Sequence, residues 1–189
     1  MLVGILALQG DFEAHERAFQ ELGAPVVQVR QANQLSLVDG LVIPGGESTT
    51  MLKLLHLENL FEPLRQFGLA KPIFGTCAGA ILLASEVLHP QQESLGLMDM
   101  TVERNAYGRQ VHSHVSHLQF PDQTDLEAVF IRAPIIRRAG PGVKILASHD
   151  GTPVLVEQGS HLAATFHPEL TADRRLQVLF LEKMKACRD

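Results

Sequence analysis

In the first half of the chain short apolar runs alternate with segments of helical periodicity: Leu2–Leu8, Asp11–Leu22, Pro25–Val29, Asp39–Ile43, Ser48–Phe67, Pro72–Phe74 and Ala78–Leu88. Strands separated by helices cannot pair as tight hairpins, so the alternation predicts parallel βα units and an α/β fold around a mostly parallel sheet. In the first helix Phe12, Ala18, Phe19 and Leu22 recur near helical spacing, Asp11 is placed to cap the start, and Gly23 to end it. From Met98 onward the pattern changes. Met100–Val102, Ala128–Ile131, Val143–Ala147, Val154–Val156 and Leu162–Phe166, separated by Pro, Gly and Asp, read as antiparallel additions that make the sheet mixed. A closing helix is expected over Ala172–Lys185, with Leu176, Leu179, Phe180 and Met184 on one face and Thr171 as its cap. With 189 residues, no linker and no internal repeat, positions 1–189 are expected to form one domain.

Composition narrows the function classes. A net charge of −5 without a Lys/Arg-rich run lacks the electrostatic footprint of a nucleic-acid binder. No apolar stretch reaches the length that spans a bilayer, and the run from Met1 to Leu8, which has no basic leader, reads as a first strand, so no membrane partner is expected. Two cysteines, Cys77 and Cys187, are too few for a disulfide framework and suit a cytoplasmic protein. Cys187, near the end of the chain, reads as an incidental thiol.

Gly75-Thr76-Cys77-Ala78-Gly79 lies where an apolar strand gives way to an apolar helix. G-x-C-x-G is the thiol form of the nucleophile elbow, a strained strand-to-helix turn whose glycines remove side chains that would collide across it. Cys77 at the helix N-terminus would be favoured as thiolate, the attacking species; the bland alternative is a buried cysteine acting as a small apolar residue. Far along the chain, His167-Pro168-Glu169 follows a strand. In extended backbone residues i and i+2 point the same way, so His167 and Glu169 can lie side by side, the carboxylate fixing the imidazole tautomer. Alone, the tripeptide reads equally as a polar turn.

Pro44-Gly45-Gly46-Glu47-Ser48 follows the strand ending at Ile43 and lacks the lysine of a phosphate loop. Near the elbow, the amides of Gly46 and Ala78 would form an oxyanion hole for attack on a carbonyl. Gln9-Gly10-Asp11, the Gly-Gly loop and Cys77 all fall at carboxyl ends of parallel strands and should converge on one crevice. Arg104 and Arg132 each end an apolar run, where a guanidinium can take a substrate carboxylate or merely meet solvent. His112, His114 and His117 have a spacing that suits a metal at a strand edge, but no carboxylate or cysteine completes it, and they read as surface residues; no metal or cofactor is expected. His15, His56, His89, His149 and His161 carry no pattern separable from packing or solvation. Arg137 and Arg138 read as exposed, solvated or meeting an acidic surface.

Elbow, Gly-Gly loop and late His-x-Glu together resemble the class I, triad-type glutamine amidotransferases. More narrowly, Leu6–Phe12, Pro44–Thr50, Gly75–Gly79, Glu103–Gln110, Ile131–Pro134 and Phe166–Thr171 look like the glutaminase subunits of pyridoxal 5'-phosphate synthases. The resemblance implies a three-layer α/β/α, flavodoxin-like fold and hydrolysis of L-glutamine through Cys77, His167 and Glu169. It further implies glutamine contacts from Gly46, Glu47, Ser48, Arg104, Ile131 and Arg132, and ammonia passed to a synthase (lyase) subunit in a hetero-oligomeric complex. Gln9, beside the same crevice, is a candidate for coupling the site to that partner. The run His112–His117 departs from the acidic and aromatic residues usual there in this family. Rival readings are another cysteine hydrolase of similar architecture, another amidotransferase pathway, or a non-catalytic stabilising subunit.

Overall fold

The computed structural model describes residues 1–104, 113–120 and 124–188. In chain order the elements are β1 (Val3–Leu6), α1 (Phe12–Gln20), β2 (Val26–Val29), β3 (Gly40–Ile43), α2 (Ser48–Leu57), α3 (Phe61–Ala70), β4 (Ile73–Thr76), α4 (Ala78–Leu83) and β5 (Ala84–Leu88). There follow β6 (Met98–Glu103), β7 (His114–Gln119), β8 (Asp125–Phe130), β9 (Ile135–Ala139), β10 (Lys144–His149), β11 (Thr152–Gln158), β12 (His161–Ala164) and α5 (Arg175–Ala186).

The central sheet has the order β10-β11-β12-β4-β3-β1-β2, and β2, β1, β3, β4 and β12 run parallel. Its inner strands β1, β3, β4 and β12 are buried along their whole length because both faces are covered. Leu6, Leu41, Ile43 and Ile73 join one buried cluster with Met51, Leu55, Leu64 and Leu82 of α2, α3 and α4. Their neighbours Ile5, Val42 and Phe74 join the other with Phe19 of α1 and Phe180 and Met184 of α5. The period of two along each strand thus divides one apolar run between two helical layers, the expected α/β/α arrangement.

Several local expectations are corrected. The segment Ser48–Phe67 forms two helices: Asn59 turns back with φ +51°, a conformation asparagine tolerates, and Leu60 N–H bonds to the Leu55 carbonyl at 2.7 Å. Leu55, Leu60 and Leu64 are then all buried. The helix expected over Ala78–Leu88 stops at Leu83, and β5 takes up parallel pairing with β6, a tertiary contact that overrides helical pattern. Leu162–Phe166 is not an antiparallel addition where it meets the main sheet: β12 pairs parallel with β4 and antiparallel with β11. The strands β7 and β9 have no counterpart among the sequence-predicted runs. α5 begins at Arg175, whose amide is capped by Asp173 at 2.9 Å, while Thr171 accepts from the Asp173 amide at 3.2 Å one turn earlier. Thr171 therefore orders the approach to the helix rather than capping it. At α1 the expectation agrees with the structure, with Asp11 accepting from Ala14 N–H at 3.3 Å and Gly23 at φ +71° just beyond the end.

No helix among the described residues is long and apolar enough to cross a membrane. Arg137 and Arg138, both exposed, pair within the chain, with Glu103 and, at 2.6 Å, Asp99.

Candidate active site

β4 delivers Cys77 to the carboxyl end of the sheet, and there the chain must reverse into α4 within one residue. Cys77 takes φ +48°, ψ −101°, a conformation L-residues adopt only under constraint. Its amide is tied to the Ala164 carbonyl at 2.8 Å, at the end of the neighbouring strand β12. The two glycines serve the turn as their spacing suggests. A Cβ on Gly75 would stand 2.6 Å from the carbonyl carbon and oxygen of Gly79, and one on Gly79 would stand 2.1 Å from the Ile43 carbonyl oxygen.

Parallel pairing of Ala164 with Thr76 places the residues that follow β12 beside the elbow. His167 Nδ1 lies 2.7 Å from Glu169 Oε1, and both side chains are buried. Burial opposes charge on the imidazole, but hydrogen bonding to Cys77 and to Glu169 outweighs it and pushes His167 up to about 10. Burial also pushes the Glu169 carboxyl up, and the imidazoles of His15 and His167 beside it bring it below its ordinary value. The predicted nucleophile, base and orienter are thus brought together, Cys77 and His167 on one cavity and Glu169 bonded to His167 behind it.

The Gly-Gly loop lies directly against this line: a Cβ on Gly45 would stand 2.4 Å from His167 Cε1. Gly46 has φ +148°, and Gln9 from the end of β1 holds the next peptide, accepting from Glu47 N–H at 3.1 Å. Glu47 caps α2, accepting from Thr49 and Thr50 amides at 3.1 and 2.7 Å. Burial works against its charge, yet bonds from the Thr50 hydroxyl and these amides hold its carboxyl down to about 2. The crevice expected from the sequence is present. A cavity of about 160 Å³ is lined by Gly46, Glu47, Ser48, Cys77, Ile81, Arg104, Ile131, Arg132, Pro134 and His167. That is room for a free amino acid.

Each candidate binding residue has a local reason for its place. Arg104 follows β6 and is buried, its Nη2 donating to Thr49 Oγ1 at 2.7 Å and Glu47 Oε1 at 3.3 Å, while its Nε has no partner among the described residues. Ser48 donates to Gln92 Oε1 at 3.1 Å. Arg132, exposed at φ +45°, follows β8 with Ile131. The remainder of the block Asn105–Gln110, and His112, lie outside the described residues. His114 and His117 are three apart on β7 and so lie on opposite faces; among the described residues no three His, Cys, Asp or Glu side chains are grouped to hold a metal.

A Cys–His–Glu line on a strained elbow, opposite a Gly-Gly loop, is the arrangement of the triad amidotransferases, and comparison with known proteins agrees. Residues 5–186 match the model of the SNO glutamine amidotransferase family. The chain belongs to that family. It is 58% identical over 189 residues to the pyridoxal 5'-phosphate synthase subunit PdxT of Solibacter usitatus, covering 96% of this chain and 98% of that protein. It is 48% identical to the protein of the same name from Thermotoga neapolitana, covering 98% and 100%. A solved glutamine amidotransferase superposes with a TM-score of 0.91 at 46% identity over 97% of this chain and 98% of that one. The fold is accordingly that of the class I glutamine amidotransferases.

For this amidotransferase, sequence reading missed three side chains behind the cavity. Gln92 holds the hydroxyl of Ser48. His15 and Thr76 stand behind Glu169, with His15 Nε2 3.1 Å from Thr76 Oγ1 and 3.3 Å from Glu169 Oε2. The signal for His15 was available: it shares the apolar face of α1 with Ala18 and Phe19, a polar residue where the pattern calls for core.

Proposed function

We propose that the chain hydrolyses L-glutamine to L-glutamate and ammonia through Cys77, His167 and Glu169, and delivers the ammonia to the synthase subunit of pyridoxal 5'-phosphate synthase for vitamin B6 biosynthesis. The observation that carries the reading is the buried Cys77–His167–Glu169 line opening on an amino-acid-sized cavity. Membership in a glutamine amidotransferase family and full-length identity to PdxT subunits support the substrate and the pathway.

His167 takes the thiol proton and Cys77 Sγ attacks the side-chain amide carbon of glutamine. The amides of Gly46 and Ala78 hold the oxyanion; removal of one such donor typically costs about 2.7 to 4 kcal/mol of transition-state stabilisation. His167 returns its proton to the departing nitrogen, ammonia leaves, and a γ-glutamyl thioester remains on Cys77. His167 then takes a proton from water, hydroxide attacks the thioester carbonyl, and collapse releases glutamate and the Cys77 thiolate. Glu169 holds the imidazole in line throughout, and stabilises it in its charged form. Arg104 and Arg132 take the substrate's α-carboxylate, and Glu47, Ser48, Gly46 and Ile131 complete its seat.

Gln9, which clamps the peptide after Gly46, couples the oxyanion loop to the docked synthase. The 1–189 chain acts as one glutaminase domain within a hetero-oligomer, in the cytoplasm, a compartment that keeps Cys77 and the exposed Cys187 reduced.

The test is glutamate release from L-glutamine by the purified chain, alone and with a pyridoxal 5'-phosphate synthase subunit. Release that appears or rises with the synthase, and is abolished in Cys77→Ala while glutamine binding persists, is expected. Turnover indifferent to the synthase would assign another amidotransferase pathway, and turnover by Cys77→Ala would remove the nucleophile.

A further inference from the structure

Glu169 has two carboxylate oxygens, and the triad uses one. Oε1 faces His167 Nδ1 at 2.7 Å. Oε2 is buried and makes no aligned hydrogen bond among the described residues; Nε2 of His15 stands beside it at 3.3 Å. His15 is itself fully buried, on the first turns of α1, with Thr76 Oγ1 at 3.1 Å on the β4 side and the edge of its ring toward Phe74 at 6.4 Å. A buried carboxylate oxygen without a donor is costly, and His15 is the donor within reach.

We propose that His15 is a positioning residue of the triad, its Nε2–H holding Oε2 of Glu169 so that Oε1 stays turned toward His167. The inference rests on the reading of Cys77, His167 and Glu169 as the hydrolytic line.

The tautomer follows from which nitrogen is left alone. Nδ1 of His15 is buried without a partner. A proton there would be a donor with no acceptor, and Nε2 would face the carboxylate lone pair to lone pair. The proton therefore sits on Nε2, shared between Glu169 and Thr76. An imidazolium would again leave a buried N–H at Nδ1 unpaired. The titratable groups facing His15 are Glu169, His167 and, from its own helix, Asp11. Burial lowers its affinity for a proton; Glu169 works against this and His167 adds to it, with the net direction downward. A neutral donor serves the triad better than a cation would. It aligns Glu169 without cancelling the negative charge that supports the His167 imidazolium.

The experiment compares His15→Gln, His15→Asn and His15→Leu in the chain with its synthase subunit. Gln places an amide N–H at the level of Nε2, Asn places one only at the level of Nδ1, and Leu fills the space without a donor. Thermal melts establish that each variant is folded. Glutamine hydrolysis then gives kcat and KM, and the pH dependence of Cys77 alkylation by iodoacetamide reads the thiol–imidazole pair without turnover.

For His15→Asn and, where it folds, His15→Leu, kcat falls about 10- to 100-fold with KM for glutamine nearly unchanged, the size expected of a displaced catalytic group. Their alkylation limb moves to higher pH, because a misaligned Glu169 supports the imidazolium less. His15→Gln recovers both. Equal loss in the Gln and Asn variants, or wild-type kcat and an unmoved alkylation limb with only the melting temperature lowered, would reduce His15 to a packing residue. Wild-type chain that alkylates as described yet releases no glutamate would overturn the assigned reaction and leave the role of His15 standing on the alkylation data.

Discussion

Gly79→Ala isolates the elbow, because two effects of the same methyl oppose each other and their sizes differ. In a helix interior alanine is favoured over glycine by about 1 kcal/mol. Here the new Cβ would stand 2.1 Å from the Ile43 carbonyl oxygen, against 3.4 Å for ordinary contact, so the groups must separate by about 1.3 Å (3.4 − 2.1). Ile43 ends β3, whose residues are fully buried and paired with β4 through Ile43 and Gly75. The sheet is the stiffer side, so α4 and Cys77 move. Overpacking of this kind costs about 1 to 3 kcal/mol, and at this chain length each kcal/mol lowers Tm by about 2 to 4 °C, so a fall of about 2 to 12 °C is expected before the helix-propensity gain reduces it. A displacement near 1 Å between Cys77 and His167 lowers kcat about 100-fold. Thermal melts and synthase-stimulated glutamate release measure both. Gly159→Ala is the control: it strains the backbone instead, at φ +55°, far from the elbow and with nothing within 4 Å of the new Cβ, so stability drops while kcat does not. Wild-type turnover by Gly79→Ala would refute the claim that close approach of α4 to β3 sets the thiol's position.

Two further outcomes follow from the same geometry. Gln9→Ala removes the acceptor for Glu47 N–H and should lose the synthase-stimulated part of glutaminase activity while leaving unstimulated activity in place; stimulation equal to wild type would dissociate Gln9 from coupling. His167, whose burial is outweighed by its bonds to Cys77 and Glu169, should titrate by NMR near 10 rather than 6.5. Its raised value means that the stability it contributes is fully present below about 6.5 and is lost as pH rises through about 10. In Cys77→Ala one of the two supporting bonds is gone and the titration should move down; an unchanged value would show that Glu169 alone sets it.

The candidate site was legible because it is written in local signals. A cysteine between two glycines at a strand-to-helix junction and a Gly-Gly loop after a strand depend on backbone conformations that neighbouring residues impose, whereas His167 and Glu169 meet across a 3-10 turn over Pro168–Leu170 rather than in the extended segment expected. Elements whose conformation is decided by a distant partner were misread. Ala84–Leu88 looks helical until β6 lies alongside it, and the stretch Ser48–Phe67 looks continuous until Asn59 turns and lets Leu60 and Leu64 bury. His15 stands out locally as a polar residue on an apolar helix face, but nothing near it in sequence names the carboxylate 154 positions away that it faces.

What the sequence by itself determined is the set of candidate groups and the strand ends and turns that carry them, since glycine placement and strand alternation act over a few residues. Only the tertiary structure decided that these groups meet. β12 could have joined the sheet antiparallel at an edge; inserting it parallel beside β4, with Ala164 opposite Thr76, brings His167 out at the same end as Cys77 and sets Glu169 between two imidazoles. Pairing direction depends on which strand neighbours which across the whole sheet, and no residue near His167 carries that information.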